Sequence, residues 1–421
     1  MILALFHSVF LLDHLCLPVV VCHPTQQGST DVIEKTVDVA VVGVGAAGSH
    51  ALLSAARRGA SVLGIEQFPI GHDRGSSHGR SRLFRGGASE GPLYVDLARR
   101  SREIWAGLEQ ETGREILSLV SGVTIGPADG DLIRDTRSAL EARDMPFEVL
   151  DPEQLRHRFP QHRVLDGDRG LLDPATGVVR PELAITTAVE LARAAGATVW
   201  DGTRVLSIDD TVDGVTIETD RGTVVAKKLI LSAGAWAARL LPDLPTPFVV
   251  RRAILTWFTP RDGSADDFTP ERFPVFTRDD GDLRGWGAPM IDEFGVKVGL
   301  HDQDGPVVGD PSRNPAEVTA AETARVEEFV SRQFDGLVPT AVHAKGCMIT
   351  LTPDENFSVG TLREHPDVVL LAACSGHGFK HSPAIGEIGA DLAILGRTTT
   401  DISPLDPHRF TRQHTTTRSA T

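Results

Sequence analysis

The run Val37-Asp-Val-Ala-Val-Val-Gly43-Val-Gly45-Ala-Ala-Gly48 decides how this chain folds. Its first six residues are mostly β-branched or small, the pattern of a strand buried on both faces. Three glycines then follow at the spacing of a tight turn into a helix. Gly43 permits the turn, Gly45 lets a pyrophosphate approach the backbone, and Gly48 lets the helix pack closely on the strand. The next residues, Ser49 to Arg58, are helical in composition and close at Gly59. A second strand, Ala60 to Ile65, ends at Glu66, which lies 23 residues after Gly43. A carboxylate at that strand end accepts hydrogen bonds from ribose hydroxyls and disfavours a 2′-phosphate. The unit therefore reads as a dinucleotide-binding strand–turn–helix–strand, and NADP is not expected.

The remaining composition is consistent with an enzyme-sized globular chain. Its 421 residues suggest two or three domains at roughly 100–200 residues each. With 42 basic against 57 acidic residues, the net charge of −15 excludes nucleic acid or an anionic membrane as the main partner. The four cysteines (Cys16, Cys22, Cys347, Cys374) form neither a disulfide framework nor a zinc spacing, and no metal is expected. Residues 1–35 are excluded from the fold. They lack a basic start and a small-residue cleavage pattern, and His7, Asp13, His14 and Pro18 interrupt the apolar run. An upstream start or a disordered extension is the reading, with targeting as its alternative, and the cytoplasm is the expected location.

Four later stretches carry chemistry. Gly75-Ser-Ser-His78-Gly-Arg80-Ser-Arg82-Leu-Phe-Arg85 places three arginines and a histidine within eight residues of an acidic chain. Read alone it is either a solvated loop or a set of donors for a cofactor and an anionic group, because a guanidinium matches a carboxylate bidentately. A helix is expected from about Pro92 to Thr112. Val224 to Leu231 reads as a strand entering the small-residue turn Ser232-Ala-Gly234. Gly295-Val-Lys297-Val-Gly-Leu-His301 alternates, putting Lys297, Gly299 and His301 on one face. Finally, Val368 to Ala373 is a continuous apolar strand leading into Cys374-Ser-Gly376-His-Gly378-Phe-Lys380 and a helix from Ala384 to Leu395.

Taken together these motifs, with Cys347-Met-Ile-Thr-Leu-Thr-Pro-Asp-Glu-Asn-Phe357, resemble the FAD-dependent amine oxidases that include monomeric sarcosine oxidase and N-methyltryptophan oxidase. The resemblance spans about residues 36–396. It implies that Cys347 bonds covalently to the flavin, while Cys374 reads as core. It implies that Lys297 activates oxygen, that His301 lies near the bound amine, and that Arg85 and Lys380 clamp the substrate carboxylate. It also implies that His78, Arg82, Gly376 and Gly378, with Gly43, Gly45, Gly48 and Glu66, contact FAD.

Two positions depart from the sarcosine-active pattern, which has phenols where this chain has Ile349 and Trp286. The pocket is then more apolar and differently shaped, leaving room for a bulkier or cyclic secondary amino acid. Arg80 replaces an acidic residue and has no role that sequence assigns.

The implied fold class is α/β: a doubly wound, Rossmann-like FAD domain with a second, α+β substrate domain on a mixed, largely antiparallel sheet. The FAD domain is expected from residues 36–118, 173–240 and 346–396, and the substrate domain from 119–172 and 241–345. A helix from Ala316 to about Phe329 and an exposed tail over 397–421 complete the expectation. The implied function is a flavin oxidase of N-methyl or cyclic secondary amino acids, passing a hydride equivalent to FAD and reducing O2 to H2O2. A dehydrogenase passing electrons to a partner protein and a non-catalytic flavin-binding protein are the alternatives. The chain is expected to be a monomer or small homo-oligomer.

Overall fold

The computed structural model describes residues 33–86, 91–301, 305–372 and 374–411. Cys16, Cys22 and the extension before residue 33 lie outside them. Residues 33–35, set aside from sequence, belong to the first strand, Ile33–Val42.

The first sheet is built around that strand. Five strands run parallel in the order Val368–Ala372, Gly222–Leu231, Ile33–Val42, Val62–Ile65, Thr198–Trp200. An antiparallel hairpin, Val205–Thr211 with Gly214–Thr219, extends it. One face buries Val39 and Val41 under the helices Ala46–Arg57, Pro181–Ala194 and Ser382–Leu395. The other buries Val37, Ala40 and Val42 in a cluster completed by the hairpin and the short helix Ala237–Leu240. The expected helix over Pro92–Thr112 has those bounds, closed by Gly113 in the left-handed conformation.

The second sheet has eight strands in the order Leu337–Leu351, Val249–Pro260, Val296–Leu300, Arg284–Ala288, Val275–Asp279, Gly122–Pro127, Asp168–Asp173, Glu148–Leu150. Every pairing is antiparallel except that of Val275–Asp279 with Gly122–Pro127. Its back face is an aromatic core (Phe258, Phe276, Phe329, Phe334) closed by the helix Ala320–Gln333. Its front face carries polar residues and meets the first half of the molecule. All of Ile33–Thr411 falls in one compact unit.

Several boundaries need correction. The helix expected from Ala316 starts at Ala320, because Thr319 and Glu322 form a reciprocal capping box. The Leu337–Leu351 strand stays in the second sheet to its end, so the chain crosses between sheets after Leu351 rather than at 346. Residues 397–411 are no exposed tail: Leu405 and His408 are buried, and Arg409 pairs with Asp354. Residues 412–421 lie outside the described residues.

His50, buried in the Ala46–Arg57 helix against Trp105, finds no hydrogen-bond partner for either ring nitrogen. Burial pulls its pKa from 6.5 down to about 3. The unfolded ring takes up a proton before the folded one, so stability is lost as pH falls from about 6.5 toward 3. We expect His50→Phe to remove about 1.4 kcal/mol per pH unit from the slope of stability between pH 6 and 4, read from urea unfolding across that range.

Candidate active site

The three glycines of the first turn act differently. Gly43 has φ +88°, and a Cβ there would lie 2.6 Å from the Ser232 carbonyl oxygen. A Cβ on Gly48 would lie 1.9 Å from the Gly43 carbonyl oxygen. A Cβ on Gly45 would meet no protein atom closer than Ser77 Oγ at 3.9 Å. Two glycines therefore hold strand to helix, and the third leaves one wall open.

That wall belongs to a cavity of about 460 Å³ running from Gly45 and Glu66, past Ser232–Ala235, to Gly378 at the entry of the Ser382–Leu395 helix. Glu66 is fixed at the strand end by accepting the N–H groups of Val44 (2.9 Å) and Phe68 (3.1 Å). The volume suits an extended cofactor. Thr350 Oγ1 and Ser382 Oγ on its wall are buried without a partner. Such groups are normally satisfied, here by a ligand with donors and acceptors. The cradle fits FAD.

The front face of the second sheet carries the residues that the sequence places at the flavin. Register pairs Lys297 with Trp257 and with Ala288, and Trp257 with His343. Alternation puts Cys347 and Ile349 on the same face as Trp257. Lys297 is 1% exposed, and its Nζ donates to the carbonyls of Gly79 (2.7 Å) and Ser81 (2.9 Å). Burial, and then the Arg82 charge, push its pKa well below the usual amine range. The two carbonyls and the Trp257 ring, 4.9 Å away, pull the other way.

His78 is buried beside this group with both ring nitrogens unpaired, and burial with Arg82 and Lys297 nearby lowers its pKa to about 3. It is a neutral ring able to offer one donor and one acceptor to a ligand. Arg82 donates to the carbonyls of Ser76 and Ser81 (each 2.9 Å) and approaches Cys347 Sγ at 3.9 Å. The Cys347 thiol is also 3.9 Å from the carbonyl oxygen of Gly75, which lines that cavity.

The other expected residues fall around this centre. Arg85 follows the short strand Arg82–Phe84, and Lys380 is buried in the turn Phe379–His381 that packs on that strand. Arg85 also lines a small cavity of about 20 Å³ with Thr124, Thr277 and Asp173. Trp286 lies over Gly299, where a Cβ would come 2.5 Å from the indole, and its Nε1 donates to the Leu300 carbonyl (3.2 Å). Ile349 stands beside Gly376, which has φ +83° and where a Cβ would lie 3.6 Å from the isoleucine side chain. Gly378 is needed because a Cβ would overlap Cys374, and Cys374 lines the cavity rather than only filling core. His301 sits one residue past the strand of Lys297 and is exposed.

Two functional contacts escaped the sequence reading. Trp257 reaches Lys297 through antiparallel register. Glu182, in the first turn of the Pro181–Ala194 helix, accepts the N–H groups of Gly79 (2.7 Å) and Arg80 (3.1 Å). The Pro181-Glu182 pair marks a helix start, but not what the carboxylate holds.

Comparison with known proteins gives the family of the chain. The FAD dependent oxidoreductase family matches residues 38–392. Monomeric sarcosine oxidase of Streptomyces avermitilis is 37% identical over 382 residues, covering 90% of this chain and 99% of that protein. N-methyl-L-tryptophan oxidase of Salmonella dublin is 34% identical over 377 residues, covering 89% and 99%. Among solved structures, NikD, an unusual amino acid oxidase essential for nikkomycin biosynthesis, superposes with a TM-score of 0.79 at 25% identity, covering 89% of this chain and 98% of its own.

The glycine geometry separates folding from cofactor binding. Gly45→Val is expected to fold with near-native stability yet purify without yellow colour, because its side chain fills only the cavity. Gly48→Val is expected to lose about 3 kcal/mol or fail to fold. Circular dichroism melts together with the flavin absorbance of each variant check both outcomes.

Proposed function

The chain belongs to the FAD dependent oxidoreductase family, and within it we propose an oxidase of secondary amino acids, N-methyl or cyclic, that releases hydrogen peroxide. Bound FAD supplies a two-electron acceptor: the amine loses two electrons and two hydrogens to become an imine, and O2 gains both to become H2O2. The observation that carries the reading is the buried Lys297 amine on the same sheet face as Cys347, beside neutral His78 and next to Gly75, which lines the dinucleotide cavity.

The chain's own residues divide the work. Arg85 and Lys380 hold the substrate carboxylate, and a carboxylate gripped by two cations has one orientation available for its amine. Lys297 provides positive charge where oxygen acquires negative charge. Cys347 tethers the cofactor through its sulfur, which the thiolate form can do as a nucleophile. Trp286 and Ile349 wall the side-chain pocket, and His301 stands at its rim.

Peroxide release from a panel of N-methyl and cyclic amino acids tests the activity. Anaerobic bleaching of the flavin without peroxide in air would replace the oxidase with a dehydrogenase. Lys297→Met should slow reoxidation by O2 by about 10²-fold or more while leaving anaerobic reduction nearly intact. Denaturing electrophoresis should show flavin fluorescence on the wild-type band and none on Cys347→Ser; acid-extractable flavin in the wild type would remove the tether.

A further inference from the structure

Among the described residues, no carboxylate is in direct contact with Lys297. An ammonium has three donors. Two go to the carbonyl oxygens of Gly79 and Ser81, and the third direction faces the Trp257 ring. These carbonyls flank Arg80 and converge on one atom because Gly79 (φ +97°) and Arg80 (φ +64°) are both left-handed. Left-handed geometry is ordinary for glycine and costly for arginine, so something must hold the turn. The Arg80 guanidinium does not: it points outward to Glu293 at 3.0 Å and over Phe294. Glu182 holds the turn's N–H side, its Oε1 accepting two successive groups, Gly79 at 2.7 Å and Arg80 at 3.1 Å, while the Ser81 N–H bonds the Gly79 carbonyl (2.6 Å) and Arg82 the Ser81 carbonyl (2.9 Å). Consecutive N–H groups in such a turn form an anion-binding concavity.

We propose that Glu182 is a positioning residue for Lys297, acting through the Gly79–Ser81 turn: its carboxylate gathers the turn's N–H groups and thereby aims two carbonyls at the ammonium. The arrangement supplies negative potential to keep Lys297 protonated while placing no carboxylate at the spot where oxygen becomes negative. It also gives Arg80 its role, which lies in its backbone conformation. The charged and titratable groups that face Lys297 are Arg82, Cys347, Glu182, Asp292 and His78. Of these, two are bonded to the turn that grips the ammonium: Arg82 donates to the Ser81 carbonyl (2.9 Å), and Glu182 is the one that accepts the turn's N–H groups.

The consequence for oxygen rests on the function proposed above; the electrostatic claim does not. The test is an NMR titration of lysine labelled at Cε in the holoenzyme, wild type against Glu182→Gln, with Lys297→Met assigning the resonance. Wild-type Lys297 should be protonated at pH 7, and Glu182→Gln should lower its pKa by about one unit. The alkaline limb of flavin reoxidation by O2 should move by the same amount, with anaerobic reduction unmoved. In a Lys297→Met background, Glu182→Gln should change reoxidation no further. A wild-type amine already neutral at pH 7, or a titration unaffected by Glu182→Gln, overturns the proposal; the first needs no variant to fold. A shifted titration with unshifted reoxidation upholds the role of Glu182 and instead removes Lys297 from the oxygen step.

Discussion

Lys297 reaches from the second sheet to two carbonyls of the loop between the strands Val62–Ile65 and Arg82–Phe84. A buried amine is tolerable only when its donors are satisfied, and here the partners come from opposite halves of the molecule. The same loop also touches the cysteine-bearing strand, through Ser76 Oγ to the Met348 carbonyl (2.7 Å) and through an ion pair between Asp73 and Lys345. The contacts are unequal. The Asp73–Lys345 pair is exposed and worth at most about 1 kcal/mol, whereas stripping Lys297 of its carbonyls would leave a charge in an apolar interior. The buried contact therefore fixes where His78, Arg82 and Cys347 stand.

The cofactor slot follows a different constraint, close approach of backbones. Gly48 and Gly43 let the Ala46–Arg57 helix sit nearly in contact with its own strand and with the Ser232 turn. Gly386 repeats the device where the helix Ser382–Leu395 crosses Ala46–Arg57, since a Cβ there would lie 2.6 Å from the Ala51 nitrogen. Helices set this close bring two N-terminal ends to the cavity, which favours negative charge between them. A phosphate-bearing cofactor suits that field without a dense cluster of arginines.

How much of this is legible in sequence depends on the range of the interaction. The turn at Gly43–Gly48 and the alternation that puts Lys297 and Gly299 on one face are local, and both stand as read. The start of the Ala320–Gln333 helix was also legible, in the Thr319-x-x-Glu322 spacing, but the helical composition upstream hid it. Trp257 was not legible, because antiparallel register sets its place and no local pattern encodes register across separate segments. Glu182 contacts backbone N–H groups 103 residues away, so no side-chain complementarity announces the pair. Arg80 had no assigned role in sequence for a related reason: only its side chain is visible there, while its left-handed φ of +64° is set by the folded turn.

On the proposed reading, the pocket walls bear on selectivity. Trp286 has committed its one donor to the Leu300 carbonyl, and Ile349 has none to give. Neither wall can reward a polar substituent, so both discriminate by shape. Shape in an apolar pocket separates substrates differing by one methylene by only about 1–3 kcal/mol. The indole is also hard to move aside, since it already fills the space over Gly299 and any side chain there would collide with it. Hydrogen-bonding capacity near the clamp is concentrated at Arg85, where Thr124 and Thr277 are paired across adjacent strands and line the same small cavity. That cavity, at about 20 Å³, has room for one water or one substrate oxygen. Discrimination between substrates therefore divides in two: a lenient apolar wall that sorts by bulk, and a strict polar end that requires the carboxylate.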